Sequence, residues 1–210
     1  MNHIQTAYDA ILKGDTDALL ASVESGLNDG LAPEEILNQG LIAAMTDVGD
    51  RFERGEFYVP EMLVAARTMQ SGLKLLKPHL IESGVESTAR VVIGTVRGDL
   101  HEIGKNLVAM MLEGAGFEVT DLGNDVPPDE FANAAREHDA DIIGMSALLT
   151  TTMPHMQDVI EALEDIGLRD KVKVIVGGAP ITQEFADQIG ADGFGADASA
   201  AVRLVKALLN

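Results

Sequence analysis

Along residues 1–80, apolar positions recur at the three-and-four spacing of helices. Asp15 stands as a cap before a segment whose Leu19, Leu20, Val23 and Leu27 share one face, with Gly30 as its stop. Pro33 occupies a first-turn position, and Glu34 and Glu35 suit the positive end of the helix that follows. That helix carries Ile36, Leu37, Leu41, Ile42, Met45 and Val48 and ends near Gly55. A connector, Glu56–Pro60, leads into another helix from Glu61 to about Lys77, which Pro78 helps to end. Four short helices joined by brief turns predict a small bundle.

The pattern changes after Ser83–Thr88, a small and polar stretch that reads as a linker. Arg90–Val96 is a compact β-branched run, followed by a helical stretch from about Ile103 to Glu113. Further apolar runs lie at Phe117–Leu122, Asp141–Ser146 and Val172–Val176, with a weaker one near Gly193 and Phe194. Helical stretches separate them and follow the last. Five strands alternating with five helices predict a parallel sheet covered on both faces. Ligands of such sheets bind beyond the carboxyl ends of the strands, so the loops beginning near residues 97, 123, 146, 177 and 195 are the ones to inspect.

Composition narrows the chemistry more than the fold. Among 210 residues, 34 Asp and Glu stand against 15 Lys and Arg, a net charge of −19. Nucleic acid and anionic membranes are disfavoured as partners, because both require phosphate-neutralising cations. Cysteine is absent, which excludes disulfides, thiolate zinc sites, iron–sulfur clusters and cysteine nucleophiles. No apolar run reaches the roughly 18 residues that would span a bilayer. The N-terminus lacks the basic start and apolar stretch of a secretory signal, so a cytoplasmic protein is expected.

The loop after the first strand reads Arg97-Gly98-Asp99-Leu100-His101-Glu102-Ile103-Gly104-Lys105-Asn106. It contains neither the dinucleotide nor the P-loop glycine pattern, which disfavours both kinds of site. Residues two apart in an extended loop point the same way, so the Asp99 carboxylate can hold one nitrogen of His101. The other nitrogen then faces outward with a fixed tautomer and raised basicity. Such a histidine serves as a metal ligand or a general base. An isolated Asp-x-His also occurs as a helix-cap neighbour, and the spacing names no metal. Thr150–Thr152 can cap the helix that follows. His3, His79, His138 and His155 have no comparable setting and read as surface or structural.

Asp99-x-His101-x-x-Gly104, with Lys105 and Asn106 following, resembles the signature of base-off, His-on cobalamin-binding proteins. These include the cobalamin module of methionine synthase and the corrinoid proteins of methanol and methylamine methyltransferase systems. Ser146-Ala147-Leu148 resembles the family's Ser-x-Leu after the third strand, and Gly177-Gly178 its Gly-Gly after the fourth. Val48-Gly49-Asp50-Arg51-Phe52, Gly55-Glu56 and Val59-Pro60 are similar to the helical cap that precedes the module. The resemblance covers nearly the whole chain. It implies an all-α four-helix bundle cap domain over residues 1–86 and a Rossmann-like, flavodoxin-like cobalamin-binding α/β domain over residues 87–210.

By that resemblance the cofactor is cobalamin or a related corrinoid, and His101 replaces the corrinoid's own base as the lower ligand of cobalt. Asp99 and Thr152 complete a relay behind it; the methionine synthase module has a serine where Thr152 stands. Methyl-cobalt(III) prefers six ligands and cobalt(I) four, so His101 is expected to bind and release in turnover. Gly98, Gly104, Gly177 and Gly178 are expected to let backbone approach the displaced nucleotide tail, with Ser146 offering its hydroxyl to the tail's base. Thr150 would bond the corrin edge or tail, and Ile103, Leu148, Ala179 and the Asp197-Ala198-Ser199 turn would line the pocket. Phe52, Tyr58 and Val59 are expected to shield the methyl-bearing face, while Met45, Met62 and Met69 read as core.

The function implied is that of a methyl carrier with no active site of its own. A substrate-specific methyltransferase loads it from methanol, a methylamine, a quaternary amine or a similar donor. An acceptor methyltransferase passes the methyl to a thiol or tetrahydrofolate, and a reductive activase is a further expected partner. Cap and module account for all 210 residues, so a free-standing carrier is expected rather than a piece of a larger synthase. The alternative is a cobalamin-dependent sensor or regulatory module, which adds a basic DNA-binding domain that is missing here. A mutase small subunit usually lacks the cap, and a flavodoxin-like or response-regulator domain would leave His101 incidental.

Overall fold

A computed structural model describes residues 2–83 and 89–209. The expected domain boundary at residues 86 and 87, and all of the expected linker except Ser83, lie outside the described residues. The chain divides into two compact units, Met1–Thr88 with Glu113–Gly116, and Ala89–Leu112 with Phe117–Asn210. Among the described residues no helix is long and apolar enough to cross a membrane.

The first unit is helical: α1 (His3–Lys13), α2 (Thr16–Asn28), α3 (Pro33–Glu35), a π-helical stretch (Ile36–Ile42), α4 (Ala43–Glu53) and α5 (Val59–Glu82). The segments from Pro33 to Glu53 follow one another without a break, so the described residues form four helical runs. Asp15 caps α2 by accepting from the Ala18 N–H at 3.0 Å, and Pro33 opens α3. The core takes Ile11, Leu19, Val23, Ile36, Leu41, Met45, Val48, Met62 and Met69, all buried. The three methionines are core residues, as the pattern predicts.

Both ends of α5 differ from expectation. It starts at Val59 because Pro60 is tolerated in the first turn and Glu61 reaches back to accept from the Tyr58 N–H at 3.0 Å. At the other end Pro78 lies inside the helix. A proline there removes one backbone bond and crowds the preceding turn. Leu76 and Leu80, four residues apart and both buried, keep the last turns packed all the same.

The second unit alternates strand and helix: β1 (Arg90–Thr95), α6 (Ile103–Gly114), β2 (Glu118–Asp121), α7 (Pro128–Glu137), β3 (Ile142–Ser146), α8 (Pro154–Asp165), β4 (Lys173–Gly177), α9 (Gln183–Ile189), β5 (Gly193–Gly195) and α10 (Ala198–Leu208). The sheet is wholly parallel in the order β2-β1-β3-β4-β5. Val92, Val96, Ile143, Met145, Val174 and Val176 form one core with Phe131 of α7 and with Met156, Val159 and Leu163 of α8. Val91, Ile93, Ile142 and Ile175 alternate with them and are buried too. Gly94 leaves the space that the Phe131 ring fills; a Cβ there would lie 2.7 Å from the ring.

From β1 the chain goes to β2 on one side and then returns past β1 to β3 on the other, so the order reverses between β1 and β3. At the carboxyl ends of these two strands Thr95 pairs with Ser146. The loops leaving Val96 and Ala147 are therefore neighbours at the switch point, where open α/β sheets place their ligands.

Candidate functional site

Those two loops converge on one carboxylate. Asp99 is completely buried. Its Oδ1 accepts from the His101 N–H at 3.1 Å and pairs with His101 Nδ1 at 2.8 Å. Its Oδ2 accepts from Leu148 N–H at 2.8 Å, Leu149 N–H at 3.2 Å and the Thr152 hydroxyl at 2.7 Å. Burial by itself would raise the pKa of this group. The Thr152 hydroxyl, the Leu148 N–H and the two N–H groups of His101 outweigh it and hold Asp99 well below the usual carboxylate range.

An ionised carboxylate only accepts, so Nδ1 of His101 must carry the proton. Nε2 is left with its lone pair. The His101 side chain is 51% exposed, against 0% for Asp99, so the imidazole stands at the surface on a buried base. Its carbonyl is tied down by the hydroxyl of buried Thr95 at 3.1 Å. The pairing of Asp99, His101 and Thr152 expected from the sequence is present.

The other expected site residues fall into groups. Gly98 adopts a φ of 80° beside Asp99, and Ser146 ends β3 half-buried. Gly104 opens onto free space, since a Cβ there would meet no atom within 4 Å. Gly177 and Gly178 follow the Val174–Val176 run; a Cβ would lie 3.1 Å from the Gly195 carbonyl at the first and 1.8 Å from the Ala147 carbonyl at the second. Thr150 and Ala179 are exposed. Ala198 and Ser199 are buried in the first turn of α10, which Asp197 caps. Phe52, half-buried, and the exposed Tyr58 and Val59 belong to the helical unit. The threonine run does not cap α8 by a side chain: its N-cap is Met153, without a side-chain bond. Thr152 spends its hydroxyl on the buried carboxylate instead.

Sequence reasoning missed the backbone donors of Leu148 and Leu149, the Thr95 hydroxyl, and two residues near β2. Asp125 accepts from Gly98 N–H at 2.6 Å. Lys105, its side chain fully buried, pairs with Asp121 at the end of β2. Gly123-Asn124-Asp125 has the composition of a turn, but nothing local reveals what that turn holds.

The donor set suits one kind of metal. Among the described residues no group of three or more His, Cys, Asp or Glu side chains could hold an ion. A single imidazole fits a metal that arrives with its in-plane ligands already bound. The same two loops and the start of α6 expose large apolar side chains, Leu100, Ile103, Leu148 and Leu149, and Gly104 leaves the edge beside them open. That surface fits a broad, largely apolar ring.

Comparison with known proteins gives a consistent result. A B12 binding domain matches residues 89–204, and a second model of the same description matches residues 4–77. Dimethylamine corrinoid protein 1 of Methanosarcina acetivorans is 47% identical over 207 residues, 98% of this chain and 97% of that protein. A cobalamin-binding protein from Desulfitobacterium hafniense DCB-2 is similar with a TM-score of 0.82 and 32% identity, over 99% of this chain and 98% of that one. A chain of the methanol:cobalamin methyltransferase complex of Methanosarcina barkeri is similar with a TM-score of 0.87 and 28% identity, over 99% of this chain and 79% of that one.

Proposed function

Because the chain belongs to the family of corrinoid proteins built on B12 binding domains, we propose that it carries a methyl group between two methyltransferases, with His101 as the lower ligand of cobalt. The buried Asp99–His101 pair carries this reading. When bound, the corrinoid supplies a cobalt centre that takes up a methyl group and yields it to a nucleophile. His101 offers Nε2 as a ligand. Asp99 fixes the tautomer and strengthens the ring as a donor. His101 would hold the cobalt through Nε2 while its Nδ1–H stays donated to the ionised Asp99. Thr152, Leu148 and Leu149 keep that carboxylate in place.

Gly104, which faces open space, and Gly177 and Gly178, which let the Gly195 and Ala147 carbonyls come close, are assigned with Gly98, Ser146 and Thr150 to the corrinoid's nucleotide side. Ile103 and Leu148 are assigned to its ring, and Ala198 to the far rim. Identity to a dimethylamine corrinoid protein over nearly the full length of both chains supports a methylamine-type donor. The loading enzyme is then a methylamine methyltransferase and the acceptor enzyme delivers to a thiol or tetrahydrofolate, with a reductive activase restoring the carrier. A net charge of −19 favours docking on basic faces of these partners.

The first test is the visible spectrum after reconstitution with hydroxocobalamin. The wild type should take up the corrinoid in a histidine-ligated form, and His101→Ala should bind it without that ligand. No uptake by the wild type would overturn the reading. Methylation that depends on dimethylamine and its methyltransferase would establish the donor; methylation only with a methanol enzyme would replace it.

A further inference from the structure

Asp125 is one of two non-glycine residues in the left-handed region among those described, with φ 54°; the other is Asp139 at φ 45°. An L-residue enters that region only under strain, and Asp does so where its short carboxylate finds a hydrogen bond nearby, so local contacts must hold it. Two of its contacts fall on the loop that bears His101. The Asp125 carboxylate accepts from Gly98 N–H at 2.6 Å, and the Asp125 N–H donates to the Asp99 carbonyl at 3.0 Å. One residue thus grips the chain on both sides of the Asp99 Cα. Between these bonds the Asp99 N–H turns back to the Val96 carbonyl at 3.1 Å, with Gly98 at φ 80°.

The gripping residue is itself anchored to the sheet. Leu122 N–H donates to Ile93 at 2.8 Å, Thr95 N–H to Gly123 at 3.0 Å and Val126 N–H to Thr95 at 3.0 Å. Val96 and Val126 form a parallel bridge. The segment after β2 therefore extends the β1 ladder up to Asp125 and gives it a fixed base.

From this geometry we propose that Asp125 is a positioning residue for His101, setting the Asp99 main chain so that Nε2 is presented in one orientation. The proposal rests on the reading of His101 as the cobalt ligand. The β3 loop, through Leu148, Leu149 and Thr152, fixes only the Asp99 carboxylate. The Val96 carbonyl holds the Asp99 N–H and the Thr95 hydroxyl holds the His101 carbonyl, and Asp125 adds the bonds to Gly98 N–H and the Asp99 carbonyl that keep this main chain from pivoting about the anchored carboxylate. Asp125 is exposed and buries little surface, so its contribution lies in orientation. Metal ligands held to within a fraction of an ångström depend on such supporting contacts.

Two variants separate orientation from folding. Asp125→Gly adopts the positive φ without strain and removes only the acceptor. Asp125→Asn keeps an acceptor oxygen and tolerates the left-handed region. In the corrinoid-free protein, amide exchange at Gly98 and His101 should rise about tenfold in Asp125→Gly and stay near wild type in Asp125→Asn. In protein labelled with 15N-histidine and loaded with cob(II)alamin, the nitrogen doublet in the electron paramagnetic resonance spectrum should weaken severalfold in Asp125→Gly, at equal occupancy, and be retained in Asp125→Asn. Unchanged exchange at both amides in Asp125→Gly, or a doublet of wild-type strength, would overturn the proposal. A wild type without a doublet, whose amides still respond to Asp125→Gly, would remove His101 as ligand and uphold Asp125 as the residue that orients its loop.

Discussion

The two edges of the parallel sheet both use aspartates to hold the chain, under opposite electrostatic terms. At the amino edge, Asp192 accepts from Val174 N–H at 2.8 Å and pairs with the Arg169 guanidinium at 2.9 Å and Lys173 at 3.5 Å. Asp141 holds the Arg90 N–H at 2.8 Å on the same edge. At the carboxyl edge, Asp99 is more deeply buried than Asp192, 0% against 18% side-chain exposure, yet among the described residues its ring of donors includes no Lys or Arg. Neutral N–H and O–H groups hold it ionised, and its one titratable partner is an imidazole. A fixed guanidinium would cancel the carboxylate in every state. An imidazole, unlike a guanidinium, brings no permanent charge, which suits the cobalt ligand proposed for His101. A buried carboxylate without a permanent cation is costly for stability alone, so the contrast separates an edge built to hold from one that, on the proposed role of His101, is built to switch.

The largest effect should come from Asp99→Ala. It removes the acceptor of the Thr152 hydroxyl, of three backbone N–H groups and of the imidazole N–H, and should cost about 3–5 kcal/mol in urea unfolding of the corrinoid-free protein. Its pH dependence sharpens the comparison. The folded-state pKa of Asp99 lies below the ordinary value of 3.8. The stability due to its charge is therefore fully present above that value and is lost as pH falls through it towards the folded pKa. The gap between wild type and Asp99→Asn should hold steady from neutral pH to about 5 and close on further acidification. A gap that persisted in strong acid would show that shape, and not charge, is what the carboxylate contributes.

How far the site could be read in advance depended on where its information lies. Asp99 and His101 are two residues apart in one loop, so their pairing needed only extended geometry. The strands were legible because a sheet buried on both faces demands continuous apolar runs such as Ile142–Met145. Leu148 was singled out for its side chain, whereas its N–H is what reaches Asp99; a backbone donor leaves no trace in residue identity. Asp125 lies 27 residues from Gly98, and a turn composition does not report a partner so distant. Pro78 misled because the local rule for proline was overridden by packing of Leu76 and Leu80, a tertiary effect. The relay role of Thr152 was legible, whereas the helix cap expected within Thr150–Thr152 was not, because cap and relay both call for a hydroxyl and only the fold shows which takes it.

A smaller effect should follow Thr152→Val, which keeps the shape and deletes the hydroxyl from a residue that is 5% exposed. Asp99 retains the Leu148 and Leu149 N–H groups, so the loss should be about 1–2 kcal/mol. With one donor gone, the Asp99 pKa should move up towards the ordinary carboxylate value, and histidine ligation in the loaded protein should weaken. Thr152→Ser should stay within about 0.5 kcal/mol of wild type because the donor survives. Equal losses for Val and Ser would mean that the methyl group supports the site as much as the hydroxyl does.

The smallest effect should come from the holding edge. Asp192→Ala removes the acceptor for Val174 N–H and one partner of Arg169, but Arg169 still donates to the Gly190 carbonyl at 2.6 Å and the Val172 carbonyl at 3.2 Å. No charge is stranded in the interior, so the cost should be about 1 kcal/mol and should shrink in high salt as the ion pair is screened. Asp99 is itself fully buried and accepts from five donors, so its loss should be larger and nearly insensitive to salt. Unfolding both alanine variants at low and high salt therefore tests the comparison directly. If Asp192→Ala proved as costly as Asp99→Ala, or Asp99→Ala as salt-sensitive as Asp192→Ala, the two edges would share one electrostatic design. The absence of a fixed cation beside Asp99 could then no longer be read as provision for a histidine that comes and goes.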